Sequence, residues 1–445
     1  MSAKVFFIHG WSVRTTQTYQ ALHLKLAEQG FELKNIYLGR YVSLENEVEI
    51  RDISKAMHRA LSEELGGDWS QPFHMITHST GALVVKHWIL NYYRGTLAQH
   101  QPLKNVVFLA APHFGSRLAH HGRTMLAEIM ELGETGKKIL GALELGSTFS
   151  WEVNEGFFDP ENWEDKGIRL YNLIGDRVKQ DRFKSKIFPA AYEPGSDMVV
   201  RVASGNLNFR RYVFDSRDLS FAKLNEIKGI PFGALYRYTH SNEDFGIMNS
   251  IKRRTTLNDH QALQYIVKCL KVDNDAAYTA VYNELIEATR ETRTKRQGFA
   301  QLDFRFRDDD GKPVTDYLVE IGAIVNGVEK PSKTVAQLHK NKLNPNHLTI
   351  FINLKELEPE LKYFINIKAV SESDLYAYQP NPLTIEMVSN TITELIAEDH
   401  TTQIDVILAR VPSENLFVFH KGNDPDLHVT WDRSGKVKKT KGKIA

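Results

Sequence analysis

The chain has 445 residues, of which 42% are hydrophobic and 25% charged, as in soluble globular proteins with an apolar core. This length exceeds that of a typical single domain and predicts two domains. The formal net charge of +1 excludes a global attraction to nucleic acid or to anionic membranes, so we expect no nucleic-acid partner. Cys269 is the only cysteine, which excludes an internal disulfide.

The first residues, MSAKVFFIHGW, contain no basic start, no long apolar segment and no small-residue cleavage site. No window of the sequence reaches the apolar length of a membrane-spanning helix. We therefore expect a protein that is cytoplasmic as synthesised, with signal-independent secretion left open.

The first 110 residues alternate between short apolar runs and segments in which apolar residues recur at helical spacing. This alternation predicts a parallel sheet covered by helices. The predicted strands are Lys4–Ile8, Asn35–Leu38, Phe73–Thr77 and Val106–Ala110. The predicted helices are Tyr19–Gln29, a segment with Ile53, Met57, Ala60 and Leu61 on one face, and Ala82–Tyr92.

An insert at about residues 116–165 interrupts the alternation. Its apolar residues are spaced as on helices, which form either one more layer of the core or a cap over a site; the place of the insert after the fourth strand favours a cap. These residues are Met125, Leu126, Ile129, Met130, Leu132, Ile139, Leu140 and Leu143. After the insert, Arg169–Ile174 resumes the sheet, and Arg211–Phe214 and Ala234–Tyr238 are interpreted as its later strands.

The pattern changes after a helix predicted at Ala276–Arg293. We interpret the basic run Arg293–Arg296 as a solvated linker. Beyond it, short segments alternate with period two, as in residues 302–307, which predicts a sandwich-like β-rich domain. The predicted organisation is an α/β domain at 1–272, a helix and linker at 273–296 and the β-rich domain at 297–445, with a disordered lysine-rich tail after Gly435.

Ser79 lies where a predicted strand meets a predicted helix, in the sequence Thr77-His78-Ser79-Thr80-Gly81. This is the arrangement of a nucleophile elbow, in which a tight turn exposes a serine hydroxyl at a helix N-terminus. The dipole of that helix stabilises a developing anion. The usual pattern is Gly-x-Ser-x-Gly, and Thr77 replaces its first glycine. From this motif alone, an ordinary serine at the start of a helix is an equal alternative.

The segment Ile8-His9-Gly10-Trp11 closes the first strand, ahead of the elbow in the chain. A strand followed by His-Gly is one way to place a backbone N–H group at an oxyanion. The N–H groups of Trp11 and Thr80 are therefore the predicted oxyanion-hole donors.

Five segments together resemble the motifs of bacterial lipases and esterases of the α/β-hydrolase fold. They are FFIHGW, THSTG, AAPHFGS (Ala110–Ser116), GSDMVVRVASGNL (Gly195–Leu207) and THSNEDFGIM (Thr239–Met248). The resemblance covers roughly residues 3–270 and implies an α/β-hydrolase fold with a helical cap insert, followed by the C-terminal β-sandwich-like domain. In domain architecture alone, the chain is also similar to the phospholipase effectors of bacterial type VI secretion.

In this fold the nucleophile precedes the acid, and the acid precedes the histidine. Asp197 and His240 follow Ser79 in that order, and the resemblance assigns them these roles. Asp176, at the end of a predicted strand, is the alternative acid. His260 is the alternative histidine, but it lies at a predicted helix start, whereas His240 leaves a strand and enters a loop.

These residues predict a serine hydrolase that cleaves carboxylic esters, those of lipids above all, and that requires neither a cofactor nor a metal. The alternatives are a thioesterase or acyltransferase with the same triad, or a catalytically weak protein that binds a partner through its β-rich domain. The expected partner is a lipid or other ester substrate. Peripheral membrane contact and a protein partner for the C-terminal domain are left open.

Overall fold

A computed structural model describes residues 3–9, 20–36, 46–121, 136–178, 192–358, 360–387, 392, 395–413, 416, 428–431 and 437–441. The strands are β1 Ala3–Ile8, β2 Phe31–Ile36, β3 Phe73–His78, β4 Leu103–Leu109, β5 Arg169–Gly175, β6 Phe209–Asp215, β7 Ser220–Ile227, β8 Phe232–Leu235, β9 Phe299–Asp308, β10 Tyr317–Val325, β11 Val328–Pro331, β12 Val335–Lys340, β13 His347–Asn353, β14 Lys362–Ala369, β15 Tyr376–Gln379, β16 Leu383–Met387, β17 Thr401–Pro412, β18 His428–Trp431 and β19 Val437–Lys441. The α-helices are α1 Leu22–Ala27, α2 Ile50–Glu64, α3 Gly81–Asn91, α4 Gly95–His100, α5 Lys137–Leu143, α6 Thr148–Phe157, α7 Gln261–Leu270 and α8 Asp275–Lys295. Within these residues, no helix is both long and apolar enough to cross a bilayer.

The N-terminal part contains a parallel six-stranded sheet in the order β2-β1-β3-β4-β5-β8. Helices α2, α3, α5 and α6 pack on one face, and α1, α7 and α8 pack on the other. Both faces are thus covered, and β3 is accordingly buried along its whole length and β4 at all but one residue. The predicted parallel sheet between helices is confirmed, and it brings the carboxyl ends of its strands to one edge.

The insert is a packed layer wherever the structure describes it. Ile139, Leu140 and Leu143 of α5 are buried in the core beside α3, and so are Val153 and Phe157 of α6. This part of the insert therefore matches the alternative of core helices. The other apolar residues of the predicted cap, Met125, Leu126, Ile129, Met130 and Leu132, lie outside the described residues.

The C-terminal part is a β-sandwich, as predicted. A seven-stranded sheet contains the path β12-β13-β9-β17-β6-β7, with β15 also paired to β17, and it faces a four-stranded sheet, β11-β10-β14-β16. Alternate residues of both sheets, such as Leu302, Phe304 and Phe306 of β9, fill one shared apolar core. Period-two alternation in the sequence places these residues on the inner face.

Two strands that precede the predicted domain boundary, β6 and β7, belong to this sandwich, which corrects the prediction for Arg211–Phe214. Strand β6 pairs in parallel with β17 and antiparallel with β7, and it has no place in the six-stranded sheet. Tyr212 and Phe214 point into the sandwich core. A short strand carries its inward and outward faces in its sequence but not the identity of its neighbours, so the assignment to the nearer sheet was wrong.

The basic run at the end of α8 is not a solvated linker throughout, which is a second correction. Arg293 is within the helix, and its guanidinium donates to Asp176 at 2.7 Å and to Asp399 at 2.7 Å. It thereby joins the end of β5 to the β-sandwich. The tail after Gly435 also differs from the expected disorder, because Val437–Lys441 pairs with β18 in a hairpin.

Candidate active site

Ser79 occupies the turn between β3 and α3 in a left-handed backbone conformation, with φ of 54°. A non-glycine residue rarely adopts this region, and such strain is concentrated at functional sites. The Ser79 N–H donates to the carbonyl oxygen of Leu109 at 3.0 Å, which ties the turn to the end of β4. The geometry is that of a nucleophile elbow at the carboxyl edge of the sheet.

Gly81 shows why the elbow needs a small residue after the serine. A methyl group built on Gly81 would lie 2.5 Å from the carbonyl oxygen of Ile8 and 2.9 Å from that of His9. Helix α3 therefore passes directly over the end of β1, where the oxyanion segment begins. Thr77, which departs from the usual motif, is a buried residue of β3 between Ile8 and Phe108 of the neighbouring strands.

Thr80 is the N-cap residue of α3, directly after Ser79. Amides at a helix N-terminus have no acceptor within the helix, so they can donate to an anion beside the serine. The position of Thr80 is thus compatible with its predicted role as an oxyanion donor. Trp11, the other predicted donor, lies outside the described residues.

The structure brings Asp197 and His240 together, 43 residues apart in sequence. The Nδ1 atom of His240 lies 2.9 Å from Oδ2 of Asp197, and both side chains are buried. The other carboxylate oxygen, Oδ1, accepts from the backbone N–H groups of Val199 at 3.0 Å and Val200 at 2.7 Å. In addition, the His240 N–H donates to the Asp197 carbonyl oxygen at 2.8 Å. Both oxygens of the carboxylate are therefore fixed, and one of them orients the imidazole.

His78 connects this pair to the elbow. It directly precedes Ser79, its Nε2 atom lies 3.2 Å from the carbonyl oxygen of His240, and the two rings are 4.8 Å apart. Burial lowers the pKa of His78 well below its usual range, with the nearby His240 acting in the same direction, so its imidazole is neutral. The buried Nε2 atom of His240 makes no hydrogen bond to any described residue. That nitrogen is therefore available to accept a proton, although among the described residues it makes no hydrogen bond to the Ser79 hydroxyl.

The alternative residues have other partners. Asp176 bonds to Arg293, and burial raises its pKa against the opposing effect of that guanidinium. His260 caps α7, where its Nδ1 atom accepts from the N–H of Leu263 at 3.1 Å, and burial lowers its pKa to about 4. Its Nε2 atom lies 2.9 Å from the Ser250 hydroxyl. Neither residue is placed as a member of the Asp197–His240 arrangement.

The sequence motif at Ala110–Ser116 has a role that its residues alone did not reveal. The Ser116 hydroxyl donates to the carbonyl oxygen of Val199, and the Ser204 hydroxyl donates to that of Gly115 at 2.6 Å. These bonds hold the loop after β4 against the loop that carries Asp197. The recurrence of both segments in one family was the only signal in the sequence for this contact.

Among the residues that the structure describes, no group of three or more His, Cys, Asp or Glu side chains is arranged to hold a metal ion. The titratable groups described at the site are instead the Asp197–His240 pair together with His78 and the neighbouring His9. This set suits proton transfer and nucleophilic attack by a hydroxyl.

No protein-family profile matches the chain, and neither does any curated protein sequence. Among solved structures, phospholipase PlaB from Legionella pneumophila is similar over 99% of this chain and 100% of its own, with 27% identity and a TM-score of 0.86. A second PlaB structure, in complex with thio-NAD, covers 98% of this chain and 99% of that chain, with 27% identity and a TM-score of 0.84. The similarity therefore includes both the parallel sheet with its helices and the β-sandwich.

Proposed function

We infer that this chain, an α/β-hydrolase, is a carboxylic ester hydrolase that releases fatty acids from lipids, and that phospholipids are its substrates. The observation that carries the proposal is the Asp197–His240 pair beside a strained serine at the elbow. The similarity to a phospholipase over 99% of this chain supports it, because it extends to the domain that simple hydrolase motifs do not cover.

In the proposed mechanism, Ser79 Oγ attacks the ester carbonyl while His240 Nε2 takes its proton. Asp197 fixes the ring through Nδ1 and stabilises the imidazolium. The N–H group of Thr80, together with that of Trp11, binds the oxyanion. His240 then returns the proton to the leaving alcohol, and a water molecule activated by the same imidazole releases the acid.

The proposed substrate implies contact with a lipid surface. A net charge of +1 gives little general attraction to anionic lipid, so we propose that peripheral contact is local and apolar. Each methylene group of an acyl chain that becomes buried on the protein would contribute about 0.8 kcal/mol to this contact.

Ser79→Ala tests the proposal. We expect the variant to lose fatty-acid release from phosphatidylcholine and phosphatidylglycerol vesicles by several orders of magnitude, with an unchanged circular dichroism spectrum. It should also lose labelling by a fluorophosphonate probe, which requires an activated serine. Ser70→Ala, at an exposed serine, is the matched control and should keep both.

Fatty-acid release by Ser79→Ala at the wild-type rate would refute the assignment of the nucleophile. If the wild-type protein is labelled but releases no fatty acid from either vesicle, the chemistry stands and the lipid substrate is wrong. Addition of an alcohol acceptor distinguishes hydrolysis from acyl transfer, because a transferase would form a new ester in place of free acid.

A further inference from the structure

Residues 195–207, here called the acid loop, lie between the two domains and contact both. On the hydrolase side, the loop accepts the Ser116 hydroxyl described above. On the sandwich side, the hydroxyl of Thr401 donates to the carbonyl oxygen of Ala203 at 3.0 Å, and the amide of Asn206 donates to that of Asp399 at 2.9 Å. The position of Asp197 thus depends on a loop that is held from two directions.

The first residue of the loop also packs directly on the sandwich. A methyl group on Gly195 would lie 2.3 Å from Cδ2 of Phe299, at the start of β9. Gly195 has φ of 74°, a conformation that favours glycine. The loop therefore begins in close contact with the second domain, two residues before Asp197.

Arg201 is a residue of the acid loop whose side chain contacts three strands of the sandwich. Its guanidinium donates to Oε1 of Gln301 at 3.3 Å and to Oε1 of Gln337, and it lies over the ring of Phe351 at 4.0 Å. The same group donates twice to Glu193, at 2.9 and 3.1 Å, which balances its charge. Arg201 is only 2% exposed. The buried, planar guanidinium of Arg201 thus connects three strands of the sandwich to the acid loop and to Glu193, just before that loop.

The backbone of the loop couples Arg201 to the carboxylate. Arg201 forms a β-bridge with Ser196, and the N–H of Val202 donates to the carbonyl oxygen of Gly195 at 2.9 Å. The Asp197 N–H donates to Val200 at 3.0 Å, and the Val200 N–H returns a bond to the carboxylate at 2.7 Å. A displacement of Arg201 would therefore displace the two amides and the backbone that hold the Asp197 side chain.

We propose that Arg201 is a positioning residue through which the β-sandwich holds the catalytic acid in register with His240. The inference rests on the proposed function, since it assigns Asp197 the role of the acid. Arg201 touches neither the reacting atoms nor His240; it acts through Asp197. On this view the second domain is part of the catalytic apparatus and not only a module for binding.

Arg201→Gln is the direct test, because it removes the fork of donors and keeps a polar side chain of similar length. We expect kcat on a soluble short-chain ester to fall on the order of a hundredfold, with little change in KM, since a small displacement of a catalytic group has an effect of this size. Gln301→Leu, which removes an acceptor on the sandwich side, should give a smaller loss of the same kind. Gln301→Leu also tests the proposal if Arg201→Gln does not fold.

Arg211→Gln is the matched control. Arg211 is a buried arginine at the same domain interface, bonded to Asp405 and Glu155 and placed over the ring of Trp151, but it makes no contact with the acid loop among the described residues. It should lower stability and leave kcat of the folded fraction unchanged. A merely structural role for Arg201 predicts that both arginine variants behave alike.

Two measurements distinguish an effect of Arg201 on Asp197 from a general loss of structure. The proton shared by His240 Nδ1 and Asp197 Oδ2 should give a far-downfield NMR resonance, which Arg201→Gln should weaken or shift and Arg211→Gln should leave in place. In the Asp197→Asn background, Arg201→Gln should cost almost nothing more, because the residue on which it acts has gone.

A full and multiplicative loss from Arg201→Gln in the Asp197→Asn background would overturn the proposal, as would an unchanged NMR resonance in folded Arg201→Gln. If Asp197→Asn itself leaves kcat intact, the proposed function has the wrong acid, which is a separate failure.

Discussion

At the scale of single residues, Ser79 has a strained backbone conformation, whereas both carboxylate oxygens of Asp197 have hydrogen-bond partners. The left-handed Ser79 costs of order 1–3 kcal/mol, which the surrounding sheet and helix must supply. Asp197 is the opposite case, because two backbone amides and one imidazole use both of its oxygens. A carboxylate held in this way can fix the tautomer and direction of His240.

We expect Asp197→Asn to lower kcat on the order of ten-thousandfold, because an amide at this place favours the wrong imidazole tautomer. Asp176→Asn should act on stability instead, since it weakens the bond to Arg293, and should cost about 1.5–3 kcal/mol. Steady-state kinetics on folded protein and urea unfolding measure the two effects. The opposite ranking in kcat would move the role of the acid to Asp176.

At the scale of elements, the site depends on the contact between β1 and α3. The carbonyl oxygens of Ile8 and His9 approach Gly81 so closely that no side chain fits between strand and helix. This contact places the helix N-terminus, with its amides and dipole, beside the segment that follows β1. Glycine is required here by the close approach of backbones and not by a turn.

Gly81→Ala should therefore destabilise the protein by more than about 2 kcal/mol or prevent folding, although alanine favours helices. Gly141→Ala in α5 is the control: its new methyl group would meet only the exposed side chain of Leu343, which can move. Thermal unfolding of both variants measures the difference. Equal melting temperatures would show that α3 can shift away from β1 without cost.

At the scale of the whole molecule, the two sheets are not independent parts of the chain. Strands β6 and β7 leave the hydrolase domain to complete the second sheet, while Arg293 joins Asp176 to Asp399. The outer face of that sheet is polar and covered, with Asp405 bonded to Arg211 and Arg305 against α6. The two domains therefore share an interface of buried ion pairs and aromatic contacts.

A chain that ends at residue 296 should consequently be insoluble or inactive, even towards a short soluble ester. It would expose Tyr212 and Phe214 and leave Arg293 and Arg201 without their sandwich partners. Co-expression with residues 297–445 should restore activity, because the second domain acts through contacts. A soluble 1–296 fragment with wild-type kcat would show that the interface is dispensable.

The sequence by itself determined the features that depend on near neighbours in the chain. Apolar runs and helical spacing predicted the parallel sheet and its helices, and period-two alternation predicted the sandwich. The elbow at Ser79 was readable because strand, turn and helix are contiguous. The choice of Asp197 and His240 came from family motifs, and their roles stay predictions that the observed 2.9 Å contact supports.

Only the tertiary structure decided which distant segments meet. Strand β6 has the same alternation whichever sheet it joins, and its pairing with β17, nearly 200 residues later, has no local signature. Arg293 and Arg201 look like ordinary surface cations in the sequence, yet Arg293 is half-buried and Arg201 buried, because each also has a partner in the β-sandwich, Asp399 and Gln301 respectively. Local pattern fixes which face of an element is apolar, whereas the partner of that face depends on the packing of the whole chain.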